Sequence, residues 1–514
     1  MLELTLGRSL RLAAERSPNA IALFYEDRVV THGELNSWGN RIARALCASG
    51  LKRGDRLGVM LPNSPLYLAV VYGAAKAGIA LILLNYRFTS AEISHQLGDA
   101  SASAVLFDTH FQDRVDDVCK QLPSLLRIAA GERQADFVMH IDVISAGQSD
   151  LDPGYSVSEN DILVLQYTSG TTGKPKGAII THRNRSLAFL HWSIAYGFDR
   201  SDVSLHTGPF HHSAPFGLTL CQLCLGGSVV VMPAFKADDV LRLVEKHRVT
   251  WSFMVPYMYS AIFALFADKP SLFNLSSLRI LLSGASPLPT VVKQRILKLF
   301  PNAGLTEFYG ATEAGTITTL QPQDQIRKIR CVGKPVFGSE IKVVDAGGAP
   351  VGVGEVGEIF IKTPSLFDGY FNDPQKTAAA FNDGWCTLGD LGRIDDEGYL
   401  YIVDRIKDVI KSGGVNIYPS EIEEVLLTYP DVMEVAVIGI PDDRWGEAVH
   451  AIVMMQPTVL LDVPALMAHC REKLADYKLP KSVEVRCDMP RSAAGKILKR
   501  MLRDEFWKES AIKV

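Results

Sequence analysis

Residues Tyr167 to Gly177 read YTSGTTGKPKG, which places three glycines, four serine or threonine hydroxyls and two lysines within eleven positions. Chemistry on a polyphosphate asks for that mixture. Glycine lets backbone N–H groups approach phosphate oxygens with no Cβ in the way, hydroxyls donate hydrogen bonds and lysines supply point charges. The loop therefore reads as a grip on ATP. It is not a Walker A loop, because counting from Gly170 puts Pro175 where that pattern needs its second glycine. Glycine, serine, threonine and lysine also make ordinary solvated turns. The segments farther along the chain decide against that plainer reading.

Four such segments follow in order: Tyr309-Gly-Ala-Thr-Glu313, the run GWCTLGDLGRIDDEGYLYIVDR around Asp390, KDVIKSGGVNIYPSEIE from Lys407 to Glu423, and PRSAAGKILKR from Pro490. Together with the first loop they resemble the adenylate-forming superfamily, which holds acyl-CoA synthetases, the adenylation domains of peptide synthetases and firefly-type luciferases. The resemblance covers nearly the whole chain, and five spaced motifs are far more specific than one glycine loop. Leu388 and Ala494 depart from it, each standing where the family usually carries threonine, while their neighbours Asp390 and Lys496 are kept.

The resemblance implies an ATP-dependent acid:CoA ligase with Mg²⁺. A carboxylate is first converted to acyl-AMP with release of pyrophosphate, and then to acyl-CoA with release of AMP. It assigns the phosphate cradle to Thr168, Ser169, Gly170, Thr171, Thr172 and Lys176, an α-phosphate contact to Thr312, and Mg²⁺ ligation to Glu313 with Thr168. One protein carboxylate suits Mg²⁺, which takes most of its oxygens from phosphate and water. Tyr309 offers a ring face to adenine opposite a backbone wall of Gly284, Ala285 and Ser286, with Gly310 and Ala311 completing the nucleotide pocket. Asp390 is expected to accept both ribose hydroxyls, with Arg405 as a second ribose contact, although a bare Gly-Asp pair reads as a turn. Lys496 is expected to neutralise the substrate carboxylate and the α-phosphate as they meet. Lys407 is the implied hinge, about which the small domain turns after adenylation to bring Gly414 to the thiol channel. Trp445, Tyr477 and Lys481 match positions that some relatives use for coenzyme A, while Leu479 replaces a basic residue of those relatives.

The acid site is expected along GPFHHSAPFGL, Gly208 to Leu218, where His211 or His212 (the catalytic assignment going to His212) orients the carboxylate or closes the tunnel. Met254, Gly310, Ala311 and Gly315 are small or apolar wall candidates, and no arginine sits in the motifs to pair a second carboxylate. That favours an apolar monocarboxylic acid, aliphatic or aromatic. Should a diacid prove the better substrate, Arg183 and Arg185 are the first residues to examine. A ligase that loads a carrier protein and a luciferase-like oxygenase share these motifs and stay open. A nucleotide-binding protein without catalysis is disfavoured by the joint presence of Glu313, Asp390 and Lys496.

The elements that must position these residues are legible as alternating short strands and helices over the first three hundred residues, which predicts helix-covered parallel sheets. Strands are expected at Leu57–Leu61, Ala104–Phe107, Ile162–Tyr167 and Val229–Met232, and capping boxes at Thr31/Glu34 and Thr89/Glu92 mark helix starts. Leu66 to Asn85 approaches the length of a membrane span, but Lys76 and Gly78 divide it into a buried helix and a buried strand. From Phe337 the glycine-punctuated hairpins predict a small β subdomain, and after Arg405 a compact α+β unit follows. The expected fold class is thus α/β: a large N-terminal AMP-binding domain (1–404), a hinge (405–407) and a small mobile C-terminal domain (408–514).

At 514 residues the chain exceeds what one core supports. A net charge of −4 with no basic stripe argues against nucleic-acid partners, and 47% hydrophobic residues with 21% charged ones are those of an ordinary globular protein. Eight unevenly spaced cysteines, an N-terminus without a signal-peptide pattern and an ending other than Ser-Lys-Leu predict a cytoplasmic monomer or homodimer. Cys221 and Cys224 have CxxC spacing within an apolar stretch, which reads as helix packing rather than a metal or redox pair.

Overall fold

The structure is a computed structural model that describes residues 3–132, 139–168, 175–266, 272–456, 459–491 and 497–508. Two large sheets carry the first part of the chain. One runs in spatial order Leu126–Ala130, Ala104–Asp108, Arg56–Met60, Ala80–Leu83, Ile162–Thr168 and Lys176–Thr181, and is parallel until its last strand turns back. The other has nine strands, with Ile280–Ser283, Trp251–Met254, Val203–His206 and Ser228–Val231 parallel at its centre and antiparallel hairpins at its rims. Strands such as Ala80–Leu83 are buried at every position, as a sheet covered on both faces requires. The helices that cover them, among them His32–Ala48, Pro65–Ala77, His182–Tyr196 and Ser213–Leu225, share one core cluster.

A five-stranded antiparallel sheet follows, built of Glu340–Val344, Gly357–Lys362, Phe381–Asn382, Trp385–Ile394 and Leu400–Arg405. A 3-10 turn, Ile406–Asp408, leads into the last sheet, whose long hairpin Val432–Asp442 with Gly446–Met455 packs on the helices Pro419–Leu427, Val463–Arg471 and Lys499–Trp507. The α/β, β and α+β textures expected from sequence therefore appear in that order.

Local chemistry explains the helix starts that matter. Glu34 and Glu92 close the two expected capping boxes, their N–H groups donating to Thr31 and Thr89 hydroxyls at 3.2 and 3.3 Å. A third box was not foreseen, because asparagine holds its third position: Asn184 N–H donates to Thr181 Oγ1 at 3.1 Å and Thr181 N–H to Asn184 Oδ1 at 2.8 Å. It fixes the start of His182–Tyr196 directly after the phosphate-loop hairpin. The helix Pro65–Ala77 stops at Gly78, which takes φ +67°, a conformation in which glycine alone avoids a Cβ penalty. Among the described residues no helix is long and apolar enough to cross a membrane. Cys221 is buried in Ser213–Leu225, and burial also pushes the Cys224 thiol up to about 12, which fits packing rather than redox chemistry.

His182 makes the fold sensitive to acid. It is buried, and its Nδ1 accepts the Leu6 backbone N–H at 3.2 Å. Burial, opposed by Asp161, lowers it from 6.5 to about 4. The unfolded chain thus binds a proton in this window that the folded protein refuses, so the stability present above pH ~6.5 falls by about 1.4 kcal/mol per unit as pH drops toward ~4. Urea unfolding at about pH 7.5 and about pH 5 should show that loss, and His182→Gln should remove that part of the slope. An unchanged slope in the variant contradicts the assignment.

Candidate active site

The strands Ile162–Thr168 and Lys176–Thr181 pair antiparallel with Thr168 opposite Lys176. Ser169, Gly170, Thr171 and Thr172 lie outside the described residues, as does Lys496. The base of the hairpin is described. The Lys176 ammonium stands 4.8 Å above the Tyr370 ring, and the Tyr370 hydroxyl donates to Glu313 Oε1 at 2.9 Å.

Backbone pairing holds this group together. Ile179 N–H donates to Gly369 O at 2.9 Å, Phe371 N–H to Gly177 O at 2.8 Å and Phe367 N–H to Glu313 O at 2.8 Å. Residues 367–371 thereby splice the phosphate-loop hairpin to the turn that carries Thr312 and Glu313, between strands Gly304–Ala311 and Gly315–Leu320. Tyr370 was not foreseen from sequence. Burial and then the Glu313 charge hold its hydroxyl well above the usual tyrosine range, so it remains a donor. Burial, and next Lys376, lower Lys176, while Asp373 and Glu313 oppose them.

Glu313 is 8% exposed, and among the described residues its second carboxylate oxygen receives no hydrogen bond. A buried carboxylate with a spare oxygen close to the Thr168 strand end suits a hard divalent cation shared with phosphate. The tightest acidic cluster among the described residues, Asp395, Asp396 and Glu397, is mostly exposed and bound to Lys328 and Arg327, so it is a surface ion-pair network.

The nucleoside residues meet on the neighbouring face. Tyr309 Oη donates to Asp390 Oδ2 at 2.7 Å, and Arg405 Nε donates to Asp390 Oδ1 at 3.0 Å. Asp390 is no turn residue: it is buried in the ten-residue strand Trp385–Ile394, directly opposite Arg405 on Leu400–Arg405. Burial and then Asp390 raise the Tyr309 hydroxyl well above its ordinary range. With one donor on each oxygen, the carboxylate is fixed and keeps lone pairs for two hydroxyls. Gly284, Ala285 and Ser286 leave the end of Ile280–Ser283, which runs parallel to the Tyr309 strand. That is the carboxyl edge of a parallel sheet, where α/β folds bind ligands. A Cβ on Gly284 would stand 2.6 Å from the Phe308 ring, and Ala285 takes φ +67°, a strained setting for a residue other than glycine.

His212 stands at the N-cap position of Ser213–Leu225 without a side-chain capping bond, and its ring lies 4.5 Å from that of His211, centroid to centroid. His211 is the more buried and is held neutral by that burial, then by His212 and Arg87. Its carbonyl accepts Gln166 Nε2–H at 2.7 Å, which ties the acid loop to the strand that ends at Thr168. Met254 is buried, and Gly310 and Ala311 sit beside a bulge that follows Tyr309.

The coenzyme A candidates stand elsewhere. Gly414, with φ +83°, tips the hairpin of Ile410–Ser412 and Val415–Ile417. Gly413 N–H bonds Trp445 O at 2.8 Å, and the Lys481 N–H bonds Val449 O at 2.8 Å. Trp445 and Tyr477 are 42% and 50% exposed, and their ring partners Arg444 and Lys478 also belong to the C-terminal unit. Lys407 lies in the connecting turn, and its carbonyl accepts Arg503 Nη1–H at 2.7 Å.

Residues 10–371 match the family described as AMP-binding enzyme, and residues 421–496 match AMP-binding enzyme C-terminal domain. A feruloyl-CoA synthase of Amycolatopsis sp. is 37% identical over 96% of this chain and 97% of its own length. Among solved structures, an o-succinylbenzoate CoA synthetase from Bacillus subtilis, in complex with its acyl-adenylate intermediate, is 30% identical with a TM-score of 0.87, over 98% of this chain and 99% of the other. The anthranilate CoA ligase AuaEII in complex with anthranoyl-AMP is 26% identical with a TM-score of 0.93, over 100% of this chain and 99% of the other.

Proposed function

Because this chain belongs to the AMP-binding enzyme family, we propose that it is an ATP-dependent acid:CoA ligase that works through an acyl-adenylate. The observation that carries this reading is one hairpin, Gly304 to Leu320, that places Tyr309 against Asp390 and Glu313 against Tyr370, beneath Lys176. A nucleoside site and a phosphate site four residues apart in sequence fit one AMP unit.

In the first half-reaction a carboxylate oxygen of the acid attacks the α-phosphorus and pyrophosphate leaves. Lys176, the hydroxyls of Thr168 and Thr312, and the loop residues Ser169, Gly170, Thr171 and Thr172 serve by countering negative charge, which is where protein groups act in such transfers. Glu313 and Thr168 would hold Mg²⁺, which when bound neutralises charge on the phosphate oxygens. Asp390 and Arg405 orient the ribose, and Tyr309 presents its ring to the base. In the second half-reaction the coenzyme A thiolate attacks the acyl carbonyl and AMP leaves. We assign residues 1–404 to the adenylating domain, 405–407 to the hinge and 408–514 to the mobile domain, with Gly414, Trp445, Tyr477 and Lys481 receiving coenzyme A. A cytoplasmic location accords with eight free thiols, and we keep a monomer or homodimer as the expected state.

The test supplies a panel of carboxylic acids with ATP, Mg²⁺ and coenzyme A. The expected products are AMP, pyrophosphate and a thioester in equal amounts. Formation of ADP, or AMP with no thioester from any acid, overturns the reading.

A further inference from the structure

Arg185 is a cation that the adenylation chemistry leaves unused. It is 4% exposed, and its Nε and Nη2 are buried without a hydrogen-bond partner among the described residues. Its guanidinium carbon lies 5.9 Å from the ring centroid of Trp192, seven residues on along the same helical face. Trp192 Nε1 is also buried without an acceptor. All three orphaned atoms are donors, so what is missing is an acceptor. Burying an unpaired cation costs several kcal/mol, and an apolar side chain of similar size would be cheaper to bury.

The location is defined by two glycines. A Cβ on Gly217 would stand 2.6 Å from Arg185 Nη1 and 2.6 Å from the Trp192 ring, so the guanidinium lies against the helix that begins after His212. The same indole reaches within 4.0 Å of where a Cβ on Gly315 would stand, beside Ala188 at 3.7 Å and Ser365 Oγ at 3.4 Å. One ring therefore separates the guanidinium from a glycine two residues past Glu313. The cation thus lies between the helix that begins after His212, where the acid site is expected, and the turn that carries Glu313.

The free edge identifies the ligand. Nε and Nη2 form the side of a guanidinium that grips a carboxylate with two parallel hydrogen bonds. Arg53 uses that edge in this molecule, reaching both oxygens of Asp161 at 2.7 and 2.8 Å. Arg185 presents the same edge with nothing on it. ATP and its metal already have partners in Lys176, Glu313, Asp390 and Arg405, which leaves the acid to supply the anion.

We propose that Arg185 determines specificity in the acyl pocket by pairing with a second carboxylate of the substrate, remote from the one that is adenylated, so that the preferred acid is a dicarboxylate. This rests on the ligase reading and departs from the apolar monoacid expected when the motifs alone were considered, since Arg185 lies outside them.

The test measures kcat/KM by AMP release for matched pairs, a straight-chain or aromatic monoacid and the same acid bearing a distal carboxylate. The wild type should favour the diacid by about 10²-fold, the scale on which a buried charge pair counts. Arg185→Met, which keeps the bulk, should reverse the order, and Arg185→Lys should fall between because it keeps the charge and loses the two-point geometry. Without ATP, the diacid should raise the Tm of the wild type and not that of Arg185→Met. If the wild type favours monoacids, or if Arg185→Met keeps the wild-type order, the proposal is overturned while the ligase reading stands. If no acid releases AMP, the ligase reading itself has failed. Should Arg185→Met not fold, the wild-type comparison and Arg185→Lys still decide.

Discussion

Lys496→Ala should cut acyl-adenylate formation by ~10²-fold or more, while the variant still converts supplied acyl-AMP and coenzyme A to thioester. The reason is electrostatic. Two anions, the substrate carboxylate and the α-phosphate, must approach to bonding distance, and if Lys496 is the cation that the motif resemblance makes it, its loss should fall wholly on that step. Attack of a thiolate on an acyl-AMP carbonyl brings together a different pair of groups, served by the Gly414 hairpin in the proposed rotated arrangement. The two half-reactions should therefore separate. Equal loss of both steps, with unfolding cooperativity intact, would remove Lys496 from the adenylation step.

Glu313→Gln carries the second large effect. Glutamine still offers Oε1 to the Tyr370 hydroxyl, now at 2.9 Å, so the splice between the two hairpins is kept while the charge is removed. Adenylation should fall by ~10² to 10³-fold, and the Mg²⁺ concentration for half-maximal rate should rise, because a neutral amide is a poor ligand for a hard cation. Tyr370→Phe removes the hydrogen bond and keeps the carboxylate, and should cost far less. A Mg²⁺ dependence left unmoved by Glu313→Gln would show that the carboxylate serves only the splice.

What could be read from sequence was what local pattern encodes. The strand that leads into the phosphate loop follows from its apolar run, and the helix and strand divided at Gly78 follow from periodicity broken by one left-handed residue, whereas the antiparallel return strand Lys176–Thr181 was not read. Long-range partners were invisible. Tyr370 meets Glu313 across 57 residues and carries no local mark of that role, because a tyrosine among glycine, asparagine and proline reads as a loop residue. Asp390 was expected at the ribose from its motif, but its local Gly-Asp pair reads as a turn, and its two donors, Arg405 opposite it in the ladder and Tyr309 from another sheet, carry no local mark. Arg183 and Arg185 looked alike as neighbours on one segment. Counted from the Thr181 cap, however, Arg185 shares its helical face with Ala188, Phe189 and Trp192, all buried, whereas Arg183 is half exposed and paired with Glu159. The capping box that sets this count was missed because its third residue is asparagine.

The most direct test of the central claim follows one oxygen atom. An acid labelled with oxygen-18 in its carboxylate is turned over with ATP, Mg²⁺ and coenzyme A, and the AMP and pyrophosphate are examined by mass spectrometry. Attack of the carboxylate on the α-phosphorus predicts one labelled oxygen in each AMP, left there when the thiolate takes the acyl group, and none in pyrophosphate. Label in orthophosphate with ADP as co-product, or AMP without label, would contradict the acyl-adenylate route.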